Sequence, residues 1–144
     1  MKKGEDYIGL TVSFLCHDGE GNVFLSKRSV NCRDEHGRWD CGGGGIEFGH
    51  TAEETVRKEI LEEYGSESLE IEFLGYRDVF REQNGKPTHW MSLDFSVRID
   101  RAQAHNAEPH KFDEVGWFKK GALPEPTHSQ WPMFLEKYGE RLGM

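Results

Sequence analysis

The segment from Gly42 to Gly65 constrains the fold more than any other part of this 144-residue chain. It places four consecutive glycines before a stretch with helical spacing, GGGGIEFGHTAEETVRKEILEEYG. Three glutamates near its end, Glu59, Glu62 and Glu63, are three or four residues apart, so they share one face of a helix. Because such a cluster repels itself unless a cation neutralises it, the segment predicts a helix that presents carboxylates to a metal ion.

Local signals mark both ends of this helix. Thr51 is followed three residues later by Glu54, which is the spacing of a capping box. Gly65 is a typical C-terminal stop. The pattern therefore predicts a helix of about 13 residues that begins near Ala52. Its buried stripe recurs every fourth residue: Ala52, Val56 and Ile60.

The residue types at the cluster select the kind of cation. Carboxylate oxygens favour Mg²⁺ or Mn²⁺, whereas Zn²⁺ calls for Cys and His at ligand spacing, which this chain lacks. Mg²⁺ usually shares its coordination between carboxylates and substrate phosphates. The glycines, expected to form a flexible turn, let the backbone approach those phosphates because they carry no side chain. We therefore expect Mg²⁺ or Mn²⁺ as cofactor and a substrate that carries phosphate.

The same segment resembles the Nudix box of the MutT-like hydrolases, G-x5-E-x7-R-E-U-x-E-E-x-G-U, in which U is aliphatic. The first glycine of the pattern falls on Gly44, and its last two parts fall on Lys58–Ile60 and Glu62–Gly65. Three positions depart from the pattern, where a glutamate, an arginine and an aliphatic residue are expected: His50, Lys58 and Ser66.

The resemblance implies roles for the residues that match. Glu59, Glu62 and Glu63 would bind the metal and support catalysis, with the Gly44 carbonyl as a further ligand. Lys58 stands where an arginine orients the glutamates in the family; a lysine keeps the charge but lacks the planar fork.

The resemblance extends beyond the box. The segments Val23–Arg28 and Gly37–Trp39 match the family's strand and lead-in, and Glu108–Lys111 followed by Trp117 is similar to an EPxK…W segment of some Nudix nucleotide hydrolases. The match implies an α+β fold, a Nudix-type α/β/α sandwich with a mixed central sheet. It implies a single domain over residues 1–144.

Further site residues are glycines of the run or polar and aromatic groups placed near it. The candidates for substrate contact are Arg28, Gly43, Gly44, Gly45, His50 and Trp90. Glu108 and Glu114 are candidates for another metal ligand or a general base, on a loop that faces the helix. Cys41 is interpreted as a small buried residue in preference to a nucleophile.

Composition limits the partners. The chain has 18 Lys and Arg against 26 Asp and Glu, a formal charge of −8. This balance argues against a nucleic-acid polymer and leaves a small-molecule nucleotide as the expected partner. Three cysteines without a CxxC pair fit a reduced, cytoplasmic protein, and no signal peptide or membrane span is visible. A homodimer is compatible with the sequence.

The remaining elements follow from alternation and turn signals. Strands are expected at Tyr7–Cys16, Val23–Lys27, Ser68–Arg81, Thr88–Ile99 and Val115–Phe118, and a closing helix at Ser129–Leu142.

Together these features predict a metal-dependent hydrolase that cleaves a phosphoanhydride bond in a nucleoside diphosphate linked to another moiety, such as a nucleoside triphosphate, nucleotide sugar or dinucleotide. Two alternatives stay open. The departures at His50 and Lys58 favour a catalytically weak domain that serves as a nucleotide or metabolite-binding sensor. A prenyl diphosphate isomerase would use a cysteine in acid chemistry.

Overall fold

The computed structural model describes residues 1–144 and contains seven strands and two helices. The elements are β1 (Gly9–His17), β2 (Asn22–Arg28), β3 (Trp39–Asp40), β4 (Gly42–Gly45), α1 (Ala52–Tyr64), β5 (Ser68–Gln83), β6 (Lys86–Ile99), β7 (Phe112–Lys119) and α2 (Trp131–Leu142). Both predicted helices and all five predicted strands are present, whereas β3 and β4 were not predicted. None of the helices is long and apolar enough to cross a membrane.

All seven strands form one mixed sheet. Its main path runs β3-β2-β1-β6-β5, while β4 pairs with β1 and β7 pairs with β2. The pairing of β1 with β6 is parallel, and the other pairings are antiparallel. The prediction of a mixed central sheet is confirmed.

Strand β1 connects two cores because alternate residues of a strand point to opposite faces of the sheet. Val12 and Phe14 pack with Ile60 of α1 on one face. Leu15 packs with Phe134 of α2 on the other face. Each buried side chain of this size contributes roughly 1.5–3 kcal/mol. The result is an α/β/α sandwich, as predicted, with α1 held firmly against the sheet.

The caps of α1 fix where the helix begins and ends, and therefore the direction in which its glutamates point. The Thr51 hydroxyl accepts a hydrogen bond from the Glu54 N–H at 3.0 Å. At the other end Gly65 adopts φ 66°, and its N–H donates to the Leu61 carbonyl. The helix therefore begins and ends where the sequence predicts.

The expectation of a flexible turn at the glycines is wrong. The run forms strand β4, in which Gly44 lies opposite Val12 and Gly42 lies opposite Phe14 of β1. A Cβ at Gly42 would lie 2.0 Å from the Phe14 ring. Pairing with β1 satisfies the backbone of this segment, and the missing side chains let it lie flat against large core residues.

Candidate active site

A cavity of about 140 Å³ is walled by β4 and β1 and by residues from α1 and the loop before β7. We call it the glycine cavity. It brings together four residues predicted or implied for the site, Gly43, Gly44, Arg28 and Glu63, with one that was not predicted for it, Lys111. The glycines and the carboxylate helix therefore do meet at one place.

Glu63 is the most constrained acid of this cavity. Its side chain is 2% exposed, and its Oε1 lies 3.3 Å from Lys111 Nζ. Its Oε2 is buried without any hydrogen-bond partner. Burial raises the pKa of Glu63 to about 8; Lys111 lowers it in part, and the charge of Glu59 raises it further. An isolated buried carboxylate oxygen is costly, and a bound cation would remove that cost.

Glu59 lies one helical turn before Glu63 and is half-buried against β4. A Cβ at Gly44 would lie 2.6 Å from Glu59 Cδ, so only glycine leaves room for this carboxylate. Burial, followed by the charge of Glu62, raises the pKa of Glu59. The Gly44 carbonyl accepts a hydrogen bond from the Thr11 hydroxyl at 2.8 Å.

Glu62 and Lys58 lie at the rim. Glu62 Oε1 is 4.0 Å from Lys58 Nζ, which is also 3.7 Å from Glu47 Oε1. All three side chains are substantially exposed. Lys58 therefore contacts one predicted metal ligand, as the resemblance implies, through long ion pairs of small energy.

No three acidic, histidine or cysteine side chains converge closely enough to hold a metal ion. Glu62 contacts Lys58, and Glu63 contacts Lys111. The donors nonetheless fit a hard divalent cation. Glu63 Oε2 is buried without a hydrogen-bond partner. The pKa of Glu59 is raised by its surroundings. The backbone of the glycines lines the glycine cavity. Of the three glutamates only Glu63 lines the glycine cavity, whereas Glu59 packs beside Gly44 and Glu62 is exposed.

A larger cavity of about 360 Å³ adjoins the first. We call it the deep cavity. Four residues line both cavities: Thr11, Ser13, Asp40 and Cys41. Its walls come from β1, β5, β6, the start of α2 and the loop after β2, and they include Trp90 and Gly45, two of the predicted substrate contacts. None of the three helix glutamates lines the deep cavity, so this cavity lies next to the predicted metal site without containing it.

The three remaining predicted residues, His50, Glu108 and Glu114, do not lie at one place in the structure. His50 is exposed on the loop before α1 and lines neither cavity. The placement of Glu114 on a loop facing the helix is wrong: it lies on β7 opposite Lys27, with its side chain exposed. Glu108 does lie in the loop, and its charge helps to raise the pKa values of Glu59 and Glu63.

Cys41 lies on the wall that the two cavities share. Burial, followed by the charge of Asp40, raises the pKa of its thiol well above the ordinary value. Because the thiolate is the reactive form, this thiol stays protonated and unreactive at neutral pH. Cys41 is only partly buried, so its interpretation as a buried residue is wrong in that respect, whereas the raised pKa disfavours a nucleophile.

The buried pair Arg77 and Asp94 was not singled out from the sequence, and Lys111 was named only as the end of the EPxK-like segment, without a role in the site. Lys111 contacts Glu63 across 48 positions of the chain. Its pKa is raised, because Glu63 and Glu108 outweigh the effect of burial, which lowers it. A signal existed for Asp94, an acidic residue in the middle of β6 between Leu93 and Phe95.

Comparison with known proteins agrees with the sequence resemblance. The family model described as the NUDIX domain matches residues 8–136. The chain belongs to the NUDIX domain family. This Nudix protein is similar to the RNA pyrophosphohydrolase of Gluconacetobacter diazotrophicus, with 28% identity over 131 residues that cover 79% of this chain and 78% of the relative. The predicted membership of the Nudix hydrolases is confirmed.

Solved structures agree on the fold of this Nudix protein. The MutT NUDIX hydrolase from Burkholderia pseudomallei superposes with a TM-score of 0.79 at 24% identity, covering 92% of this chain and 98% of that one. The NUDIX domain of Shewanella oneidensis NrtR, complexed with ADP ribose, gives a TM-score of 0.75 at 20% identity, with 95% and 90% covered. The α+β sandwich is therefore the Nudix fold.

Proposed function

We propose that this Nudix protein is a metal-dependent hydrolase that cleaves a phosphoanhydride bond in a nucleoside diphosphate linked to another moiety: a nucleoside triphosphate, a nucleotide sugar or a dinucleotide. The observation that carries this proposal is the buried carboxylate oxygen of Glu63, which has no partner in a glycine-walled cavity. A buried acid with a raised pKa in a cleft is typical of a functional site.

The two adjoining cavities divide such a substrate. The glycine cavity carries the basic side chains of Arg28 and Lys111, which are paired with Asp34 and Glu63. It contains little bulk, which suits a diphosphate that arrives with a cation. The deep cavity, at about 360 Å³, is within the size range of small-molecule sites. It mixes aromatic and polar walls, which suits the nucleoside. The shared wall lets one ligand occupy both.

Glu59, Glu63 and the Gly44 carbonyl would hold the cation. When bound, Mg²⁺ supplies charge that polarises phosphoryl oxygens and makes a bound water more acidic. Lys111 keeps the Glu63 carboxylate in place through its contact at 3.3 Å. Lys58 holds Glu62 at the rim. No side chain of the site needs to form a covalent intermediate, since water is the attacking group.

A binding module is the second candidate. The observation in its favour is that the three glutamates do not converge into a ready metal site. The NrtR domain of the same fold is complexed with ADP ribose, which shows that the fold accommodates such a ligand there. The departure at His50 carries less weight for this candidate, because His50 lines neither cavity.

The deciding experiment incubates the purified chain with Mg²⁺ and a panel of nucleoside triphosphates, nucleotide sugars, dinucleotides and a short 5′-triphosphorylated RNA. The RNA is included because one relative is named as an RNA pyrophosphohydrolase; the charge of −8 favours the small substrates. Release of phosphate, pyrophosphate or a mononucleotide supports the hydrolase, and product analysis locates the broken bond. Thermal stabilisation by a nucleotide without turnover would establish the binding module instead.

Three further points belong to this proposal. We propose that residues 1–144 act as one domain. The three cysteines are free, which supports a reducing compartment such as the cytoplasm. Homodimer formation stays a prediction, and gel filtration with light scattering would test it.

A further inference from the structure

A buried ion pair stands in the wall of the deep cavity. Arg77 Nε and Nη2 lie 2.8 and 2.9 Å from the two carboxylate oxygens of Asp94. The same carboxylate accepts hydrogen bonds from the Ser92 hydroxyl at 2.8 Å and the Tyr138 hydroxyl at 2.7 Å. Asp94 is fully buried and Arg77 is 9% exposed in its side chain. The guanidinium is thus fixed by one edge.

The other edge of this guanidinium has no partner. Arg77 Nη1 is buried without a hydrogen bond, and so are Trp131 Nε1 and Gln130 Oε1, which belong to residues of the same wall. Only five side-chain atoms in the protein are in this state, and a fourth is Glu63 Oε2 in the glycine cavity. Each such atom costs about 1–3 kcal/mol. Their concentration at the two cavities indicates groups that a ligand satisfies.

The chemistry of these groups restricts the ligand. Arg77 Nη1 and Trp131 Nε1 can only donate, whereas the Gln130 amide carries an acceptor and a donor. A matching ligand therefore presents two acceptors and, for the unpaired Gln130 Oε1, one donor. Guanine offers O6 and N7 together with its N1–H, and uracil offers two ring carbonyls with the N3–H between them; adenine and cytosine carry a donating amino group where these bases carry the carbonyl.

A phosphate or another anionic group matches this wall of the deep cavity less well than a neutral base does. Asp34, Asp40 and Glu82 also line the deep cavity. Arg81 is already paired with Asp34 at 3.2 Å and with Glu35 at 3.4 Å. A neutral base with ring carbonyls avoids repulsion from these carboxylates and still pairs with the two donors.

We propose that Arg77 and Trp131 make this protein selective for nucleotides whose base carries a ring carbonyl, of the guanine, hypoxanthine or uracil type, over the amino bases adenine and cytosine. The inference rests on the proposed function, because it places the nucleoside in the deep cavity. It adds two specificity-determining residues to the site and explains why a buried Arg77 is held at its inner edge only.

The test compares matched pairs of nucleotides that differ at one position. Inosine and adenosine triphosphates differ by carbonyl against amino group, as do uridine and cytidine triphosphates. In Mg²⁺ we expect kcat/KM to favour the carbonyl member of each pair by about tenfold or more, since a mismatched pair leaves a buried donor unpaired.

Two variants assign the preference to residues. Arg77→Lys keeps a positive charge beside Asp94 but removes Nη1, and Trp131→Phe keeps an aromatic ring against Phe134 but removes the N–H. Each should bring both ratios toward one. The control Trp39→Phe changes a buried tryptophan that does not line the deep cavity, and its ratios should match the wild type. Thermal melts check that each variant folds. If Arg77→Lys does not fold, the ratios measured for Trp131→Phe decide the assignment.

The outcomes separate this inference from the proposed function. Hydrolysis with equal kcat/KM for both members of each pair overturns the selectivity and leaves the hydrolase standing. If no nucleotide is hydrolysed, the same pairs are compared by thermal shift; carbonyl-selective binding supports the inference, and equal or absent shifts overturn it. A wild-type preference that survives in the folded variants overturns the assignment to Arg77 and Trp131.

Discussion

The glycine cavity and the deep cavity are built in different ways. Most groups proposed to act in the glycine cavity come from one segment, in which the glycines of β4 precede Glu59 and Glu63 of α1. The deep cavity takes its polar groups from distant strands and from α2, including Arg77 of β5 and Trp131 of α2. A site made from one contiguous segment is visible in the sequence, whereas a site assembled by the sheet becomes visible only in the fold.

The two cavities also differ in charge. Glu63 is a buried acid whose lysine partner does not offset its burial, so its pKa is raised to about 8. In the deep cavity the Arg77 charge is balanced by Asp94, and the unpaired groups there include donors of fixed polarity. The first environment favours a cation, and the second favours a polar neutral group. Metal chemistry and base selection are therefore separable by mutation.

The largest effect is expected for Glu63→Gln. The substitution removes the charge of the buried carboxylate at nearly constant size, so turnover in Mg²⁺ should fall about a hundredfold or more, as when a transition-state interaction is lost. The control Glu53→Gln lies on the same helix, 60% exposed and paired with Arg57, and should keep wild-type turnover. Unchanged turnover in Glu63→Gln would refute the metal-site assignment.

A backbone change tests the same cavity from its other wall. In Gly44→Ala the new Cβ would lie 2.6 Å from Glu59 Cδ, so the carboxylate must move. We expect kcat/KM to fall by about tenfold or more, because displacements of this size misplace reacting groups. Gly121→Ala, outside both cavities, is the comparison: a Cβ there would meet nothing within 4 Å. A loss at Gly121 as large as at Gly44 would show that Glu59 is not the cause.

The stability of the metal-free protein should depend on pH through Glu63. Its pKa is about 8 in the folded chain against an ordinary value of 4.5, so the folded state binds this proton more tightly. The tighter binding of this proton stabilises the folded state. That stabilisation is fully present below pH 4.5 and is lost as pH rises to about 8.

Glu63→Gln lacks this titration. In EDTA its free energy of unfolding, relative to wild type, should therefore rise between those two pH values, by up to a few kcal/mol. Denaturant melts at several pH values measure the difference. A difference that stays constant with pH would mean that Glu63 is ionised without penalty in the fold.

The bounds of helix α1 could be predicted closely because its signals are local. The Thr51 cap and the left-handed Gly65 act within one turn of the helix ends. Strand β4 could not, since glycine has a poor strand propensity and only the pairing with β1 makes this run extended. Glu114 was misplaced for a related reason: β7 begins at Phe112, earlier than its apolar pattern indicates.

The candidate site could likewise be predicted where its residues lie in one segment, and not where they are distant in the chain. Glu59, Glu63, Gly43 and Gly44 follow from spacing within one segment, and the structure brings them together. Lys111 reaches Glu63 only through the fold, 48 positions away. The roles of these residues in catalysis stay predictions until the variants above are measured.

The smallest effect is expected at the rim, for Lys58→Arg. Lys58 Nζ lies 3.7 Å from Glu47 and 4.0 Å from Glu62, and the side chain is 44% exposed. Arginine keeps the charge and adds a planar fork that can contact both carboxylates at once, while exposed pairs contribute about 1 kcal/mol or less. Steady-state kinetics should therefore show kcat equal to wild type or raised by up to about threefold, with KM unchanged. A tenfold loss would place Lys58 inside the catalytic arrangement, because a merely exposed ion pair cannot account for a change of that size.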